Sequence, residues 1–158
     1  MRATAVNNTA YGYSSLTATT TGGYNTAIGT NALQANTTGA RNVAVGNAAL
    51  YSNTIKDDNI GIGYYSLQTS VNGKDNVGIG TQAGEKNDGS YNIFIGSLAG
   101  QYNTNNNNIA LGYGSLTGAS GQSSSQSPGS GTTPGQGSSG QTAGGGGGTN
   151  ASTLPPSS

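Results

Sequence analysis

Asn25-Thr26-Ala27-Ile28-Gly29 is a phrase that this chain keeps repeating. It returns as Asn42-Val43-Ala44-Val45-Gly46, Asn59-Ile60-Gly61-Ile62-Gly63, Asn76-Val77-Gly78-Ile79-Gly80, Asn92-Ile93-Phe94-Ile95-Gly96 and Asn108-Ile109-Ala110-Leu111-Gly112. A weaker copy opens the series at Asn8-Thr9-Ala10-Tyr11-Gly12. The steps between the Asn residues are 17, 17, 17, 17, 16 and 16. Recurrence at a short fixed period means stacked structural units.

Three residues past each Gly stands Ser or Ala (Ser15, Ala32, Ala49, Ser66, Ala83, Ala99, Ser115). The next position is Leu16, Leu33, Leu50, Leu67, then Gly84 and Gly100, then Leu116. A polar connector follows, and the shortening of the last two steps falls within it. Connectors are expected to lie outside the ladder, where a solenoid tolerates changes of length. Gly and Asn in every unit, without a 3.6-residue apolar stripe, argue against helices. The pattern predicts an all-β chain: a parallel β-solenoid or β-roll of seven coils of 16–17 residues, each coil holding two strands of about five residues. The Gly after each strand is expected at a bend with positive φ. The Asn column is expected to form a ladder of side-chain amides.

β-Branched residues at i and i+2, as in Val43-Ala44-Val45 and Ile60-Gly61-Ile62, follow the strand period. Those two columns are expected to point into the coil. The small residues between them (Ala10, Ala27, Ala44, Gly61, Gly78 and Ala110, broken by Phe94) are then expected to form a flat outer face and the seam between chains. Each coil buries few apolar side chains against the entropy of ordering its residues. That imbalance predicts association with identical chains as a homotrimer, or as a filament built by adding coils at uncapped ends.

The repeat domain is expected over residues 1–117. Residues 118–158 are Gly, Ser, Gln, Thr and Pro with one Leu and no charge, which predicts a disordered tail or linker. Five basic and five acidic residues cancel, so there is no basic stripe for nucleic acid. Nine of the charges stand in connectors, which are expected to face water. The absence of Cys and His removes thiolate and imidazole chemistry. No apolar run is long enough to span a membrane, and the start of the chain lacks the apolar stretch of a signal peptide.

Gly78-Ile79-Gly80-Thr81-Gln82-Ala83-Gly84 has the look of a nucleotide-binding turn, but the helix and ribose-binding acid that such a turn needs are missing. It reads as repeat geometry. Asp57-Asp58 beside Lys56 reads as a solvated turn. No catalytic residue, metal site or cofactor is expected, and the chain does not read as an enzyme. Tyr13, Tyr64 and Tyr113 follow the bend Gly on coils one, four and seven, and Tyr24 and Tyr91 precede the Asn. Tyr13, Tyr64 and Tyr113 are candidate surface-recognition residues, since an exposed Tyr can stack on a sugar or anchor a protein contact. Asn7-Asn8-Thr9, Asn36-Thr37-Thr38 and Asn150-Ala151-Ser152 match the N-glycosylation acceptor. An ice- or crystal-binding solenoid would want a regular Thr column, and Thr9 and Thr26 give way to Val43, Ile60, Val77, Ile93 and Ile109.

The Asn-Thr-Ala-Ile-Gly units resemble the head repeats of trimeric autotransporter adhesins, and similar repeats of phage and giant-virus tail-fibre proteins. The resemblance covers about residues 6–117. It implies a left-handed trimeric β-roll in an extracellular location, on a virion fibre or cell surface, that attaches to a host glycan or protein. The chain departs from that family in its longer coils and in lacking a heptad stalk, a β-barrel anchor and a C-terminal chaperone.

Overall fold

The computed structural model describes residues 5–70 and 72–117. Seven strands follow one another in chain order: β1 (Thr9–Tyr11), β2 (Thr26–Ile28), β3 (Val43–Val45), β4 (Ile60–Ile62), β5 (Val77–Ile79), β6 (Ile93–Ile95) and β7 (Ile109–Leu111). They form one parallel sheet in the order β1-β2-β3-β4-β5-β6-β7. The register places each repeat on its equivalent, for example Ala27 on Ala44 and Ile28 on Val45. The chain is therefore a β-solenoid, with seven strands joined by six turns and no helix among the described residues. The tail expected at 118–158 lies outside the described residues.

Each coil holds one strand of three residues, where two strands of about five were expected. Frequent bends are the reason. After each of the first six strands a Gly adopts a φ near +130°, as at Gly29 (+132°), and a Cβ there would lie 2.5 Å from the carbonyl oxygen of Gly46 in the next coil. Only glycine fits that corner. Three further columns bend through left-handed backbone, most of them without glycine. Tyr24, Arg41 and Asp58 precede the Asn (φ 57–62°), Asn31, Ala48 and Tyr65 follow the Gly by two (φ 53–61°), and Leu33, Leu50 and Leu67 close the far side (φ 48–52°). Such backbone costs roughly 1–2 kcal/mol per L-residue and persists only where the surroundings over-determine it.

Hydrogen bonds between coils supply that constraint. The N–H of Thr26 donates to the Asn42 carbonyl (2.8 Å), and the N–H of Leu33 donates to the Ala49 carbonyl across the coil (3.1 Å). Contrary to the expectation for them, the connectors are in the ladder as well. The Arg41 N–H donates to Gly23 (3.0 Å) and the Thr37 N–H donates to Thr54 (2.7 Å). Backbone polar groups need partners wherever water is excluded, and in a thin coil almost every residue has a coil above and below it.

The interior corrects the expected facing of the strand. Ala27, Ala44, Phe94 and Ala110 are fully buried, as are Leu33, Leu50 and Leu67, while the β-branched neighbours lie on the outside. The coil is narrow enough that one large side chain per layer fills it. In coils two to four that side chain is the Leu of the far corner, and the facing strand residue must be small. A Cβ on Gly61 would lie 3.1 Å from Cγ of Leu50, and one on Gly78 would lie 2.8 Å from Cγ of Leu67. Where the far corner is Gly84 and Gly100, the ring of Phe94 enters from the strand side instead.

Candidate interaction surfaces

An amide ladder and a second column of buried Asn run through the solenoid and hold its faces in place. In the first, the Asn42 N–H donates to Oδ1 of Asn25 (2.9 Å), Asn59 to Asn42 (2.9 Å), Asn76 to Asn59 (3.1 Å), Asn92 to Asn76 (3.0 Å) and Asn108 to Asn92 (2.8 Å). This is the ladder expected from the sequence. The second is formed by Asn36, Asn53, Asn87 and Asn103, all buried, and had no counterpart in the sequence reading. Its signal was present as Asn three residues past the Leu/Gly corner, at the start of what read as a polar connector. Where both columns carry Asn, the two amides converge on one connector carbonyl. The carbonyl of Lys56 accepts from Nδ2 of Asn42 (2.8 Å) and of Asn53 (3.0 Å), and that of Gly89 accepts from Asn76 (2.9 Å) and Asn87 (2.8 Å).

The outer face of the sheet carries two apolar columns. Ile28, Ile62, Ile79 and Ile95 form one with Tyr11, Val45 and Leu111, and Ile93 and Ile109 belong to the other with Val43, Ile60 and Val77. The isoleucines Ile28, Ile62, Ile79, Ile93, Ile95 and Ile109 are 36–44% exposed. No charged residue stands in either column, which is unusual for a solvated surface; scattered apolar residues are ordinary, but contiguous ones mark contact sites. The seam assigned to Ala10, Ala27, Ala44, Gly61, Gly78 and Ala110 is thereby corrected. All but Ala10, in the terminal coil, are buried inside their own coil and cannot meet another chain. Strand periodicity separates two faces but does not say which one is the core.

Tyr13, Tyr64 and Tyr113 share one column just past the Gly corner and are 78%, 49% and 72% exposed. The structure does not bring them together: Thr30 and Asn47 separate the first two, and Thr81 and Ser97 the last two. Three layers at ~4.8 Å put about 14 Å between neighbours. Tyr64 packs against Tyr65 with ring centroids 4.1 Å apart. Tyr24 and Tyr91 are exposed at the corner before the Asn.

No family model, curated protein or solved structure matches the chain. Function must be read from the surfaces alone.

On the connector side, Asp57-Asp58 faces Arg41 of the coil before. The Arg41 guanidinium donates to both oxygens of Asp58 (2.6 and 2.7 Å) and to Asp57 (3.3 Å). That pairing holds the Asp58 carboxyl below its usual range. Among the described residues no group of three or more acidic side chains is placed to hold a metal ion. Of the acceptor motifs, Asn36 is fully buried and inaccessible to glycosylation, Asn7 is exposed, and Asn150 lies outside the described residues.

Proposed function

We propose that this chain is a structural and adhesive fibre segment, a β-solenoid rod that associates side by side with identical copies as a trimer and presents its remaining sides to an external surface. The carrying observation is the uncharged double column on the outside of the sheet, Val43 to Ile109 and Ile28 to Leu111. A regular apolar strip of this kind is matched best by another copy of itself, because identical coils meet in identical register along the whole rod. The resemblance of the repeat to adhesin heads and tail-fibre proteins agrees with that reading and with an extracellular location, on a virion or cell exterior. The exposed column of Tyr13, Tyr64 and Tyr113 is the surface offered to a host glycan or protein.

Sedimentation equilibrium of the full chain should give three times the chain mass, or whole multiples of that, at micromolar concentration. Ile62→Lys with Ile79→Lys places charges on the strip without touching the coil interior, and should remove the threefold lateral association while circular dichroism shows the fold retained. A wild-type chain that sediments as a stable monomer would defeat the lateral reading. Tyr64→Ala with Tyr113→Ala should abolish attachment to a responsive glycan or protein array while leaving the oligomer intact; unchanged attachment would remove the tyrosines from the proposal.

A further inference from the structure

The two ends of the solenoid fit each other. Oδ1 of Asn108 is buried and has no hydrogen-bond partner among the described residues, whereas the preceding six Asn residues of this ladder each accept the backbone N–H of the Asn in the next coil through Oδ1. By the repeat, its equivalent in the coil before, Oδ1 of Asn92, accepts from the following coil. Gly112 agrees: every earlier Gly of its column would drive a Cβ into the following coil, as Gly96 would at 2.6 Å from Gly112, but a Cβ on Gly112 meets nothing within 4 Å among the described residues.

The first coil offers the complementary groups. By the repeat, the Asn8 N–H is the donor for Asn108 Oδ1, the Gly12 N–H is the donor for the Leu111 carbonyl, and the Asn8 carbonyl is the acceptor for the Ile109 N–H. Each of these bonds exists between coils six and seven, where Gly112 donates to Ile95 (2.8 Å) and Ile93 donates to Asn108 (2.9 Å). The end sequences agree too. Asn7-Asn8-Thr9-Ala10-Tyr11-Gly12-Tyr13-Ser14-Ser15-Leu16-Thr17 and Asn107-Asn108-Ile109-Ala110-Leu111-Gly112-Tyr113-Gly114-Ser115-Leu116-Thr117 differ only at the third, fifth and eighth positions. Neighbouring coils within the rod are less alike; the sixth and seventh share only the Asn, Ile and Gly of the strand phrase over the same stretch. Terminal repeats of a solenoid are ordinarily altered to cap it, and these two retain the repeat.

We propose that the first coil of one chain stacks on the seventh coil of another, continuing the sheet, the Asn ladder and the Tyr13/Tyr113 column across a head-to-tail junction. Such a heterologous contact does not close on itself and propagates along the rod axis. It uses the coil edges and not the outer face, so it is independent of the lateral trimer.

The chain has no cysteine, which makes cross-linking clean. One pool of full-length protein carries Tyr13→Cys and a second carries Tyr113→Cys. Equivalent residues of stacked strands lie ~4.8 Å apart, within disulfide reach, whereas the two positions within one rod are about 29 Å apart. Mixed and oxidised, the pools should give a 13–113 linked dimer in preference to 13–13 or 113–113. Adding Gly112→Ala to the second pool should lower that yield about tenfold or more, since the new Cβ occupies the stacking position and each factor of ten is only ~1.4 kcal/mol. Absence of the mixed product would overturn the junction, and would leave the coil edge to the chain's own following residues or to another partner. A mixed product that survives Gly112→Ala would overturn it as well, because it would report two rods lying antiparallel on their outer faces. The Ile62→Lys, Ile79→Lys background separates the two readings: loss of the trimer with retention of the 13–113 product keeps the junction alone.

Discussion

An ideal Cβ on Gly84 would lie 2.6 Å from Cδ2 of Phe94, so the two residues occupy a single volume between them. Gly84 stands where coils one to four have Leu, and Phe94 stands where the other strands have Ala or Gly. The substitution of a small corner for a large one is balanced by the reverse change on the strand. Gly100 meets the same ring from the following corner. The interior is thus filled from the Leu corner where there is one, and by the single ring of Phe94 across the two layers whose corners are Gly84 and Gly100.

Phe94→Ala leaves the space between Gly84 and Gly100 empty. Removing a fully buried Phe should cost about 3–5 kcal/mol in thermal or denaturant unfolding. Phe94→Ala combined with Gly100→Leu restores the arrangement of the earlier coils and should recover part of that loss. No recovery would show that the left-handed backbone, more than the volume, sets what the corner tolerates.

Asn59→Ala removes the acceptor of the Asn76 N–H and the donor to the Gly73 carbonyl (3.1 Å), in the middle of the stack where neither can reach water. Two buried groups left without partners should cost roughly 2–4 kcal/mol. Hydrogen exchange should accelerate first in the coils flanking position 59. An equal effect at every coil would point to global unfolding and not to a local break in the ladder.

Ser70 occupies the second Asn column where the coils on either side have Asn53 and Asn87, and its buried hydroxyl has no partner among the described residues. The Gly73 carbonyl accepts from Asn59 alone, whereas its equivalents Lys56 and Gly89 each accept from two amides. Ser70→Asn should supply the missing donor and raise stability by about 1 kcal/mol. A loss of stability would mean that the coil at Ser70 is too tight for an amide.

Arg41 holds Asp58 in its charged form, with its folded pKa below the usual carboxylate range because the guanidinium donates to it. A depressed carboxyl contributes stability that is present above its unfolded pKa and lost as pH falls through the folded value. Melting temperature should therefore be level from neutral pH down to about pH 5 and decline below about pH 4. Both side chains are substantially exposed, so the effect is small and weakens in salt. Asp58→Asn should remove part of the acid decline, and an unchanged acid profile would assign it to the other carboxylates.

Much of the fold was legible because the constraint is repeated. Asn8 to Asn108 recur at a fixed step, each followed by apolar–small–apolar–Gly, and no arrangement other than stacked parallel strands puts equivalent residues side by side. The positive φ after each strand followed from Gly12 to Gly112 in the same way. The second Asn column was harder to read, since Asn36 and Asn53 sit in stretches whose polarity suggests water, while their amides are buried against Gly39 and Lys56. Polar composition marks an exposed loop only where the backbone groups beside it are free to meet solvent.

The sequence by itself determined the period, the parallel register, the Gly corner and the first Asn ladder, because each depends on neighbours that the repeat supplies. Only the tertiary structure decided which side of the strand is core. Val43-Ala44-Val45 has the same alternation whether it faces in or out, and the choice rests on the width of the coil. Once Leu33, Leu50 and Leu67 fill it from the far corner, only Ala or Gly fits opposite, and the larger Val and Ile side chains are left outside.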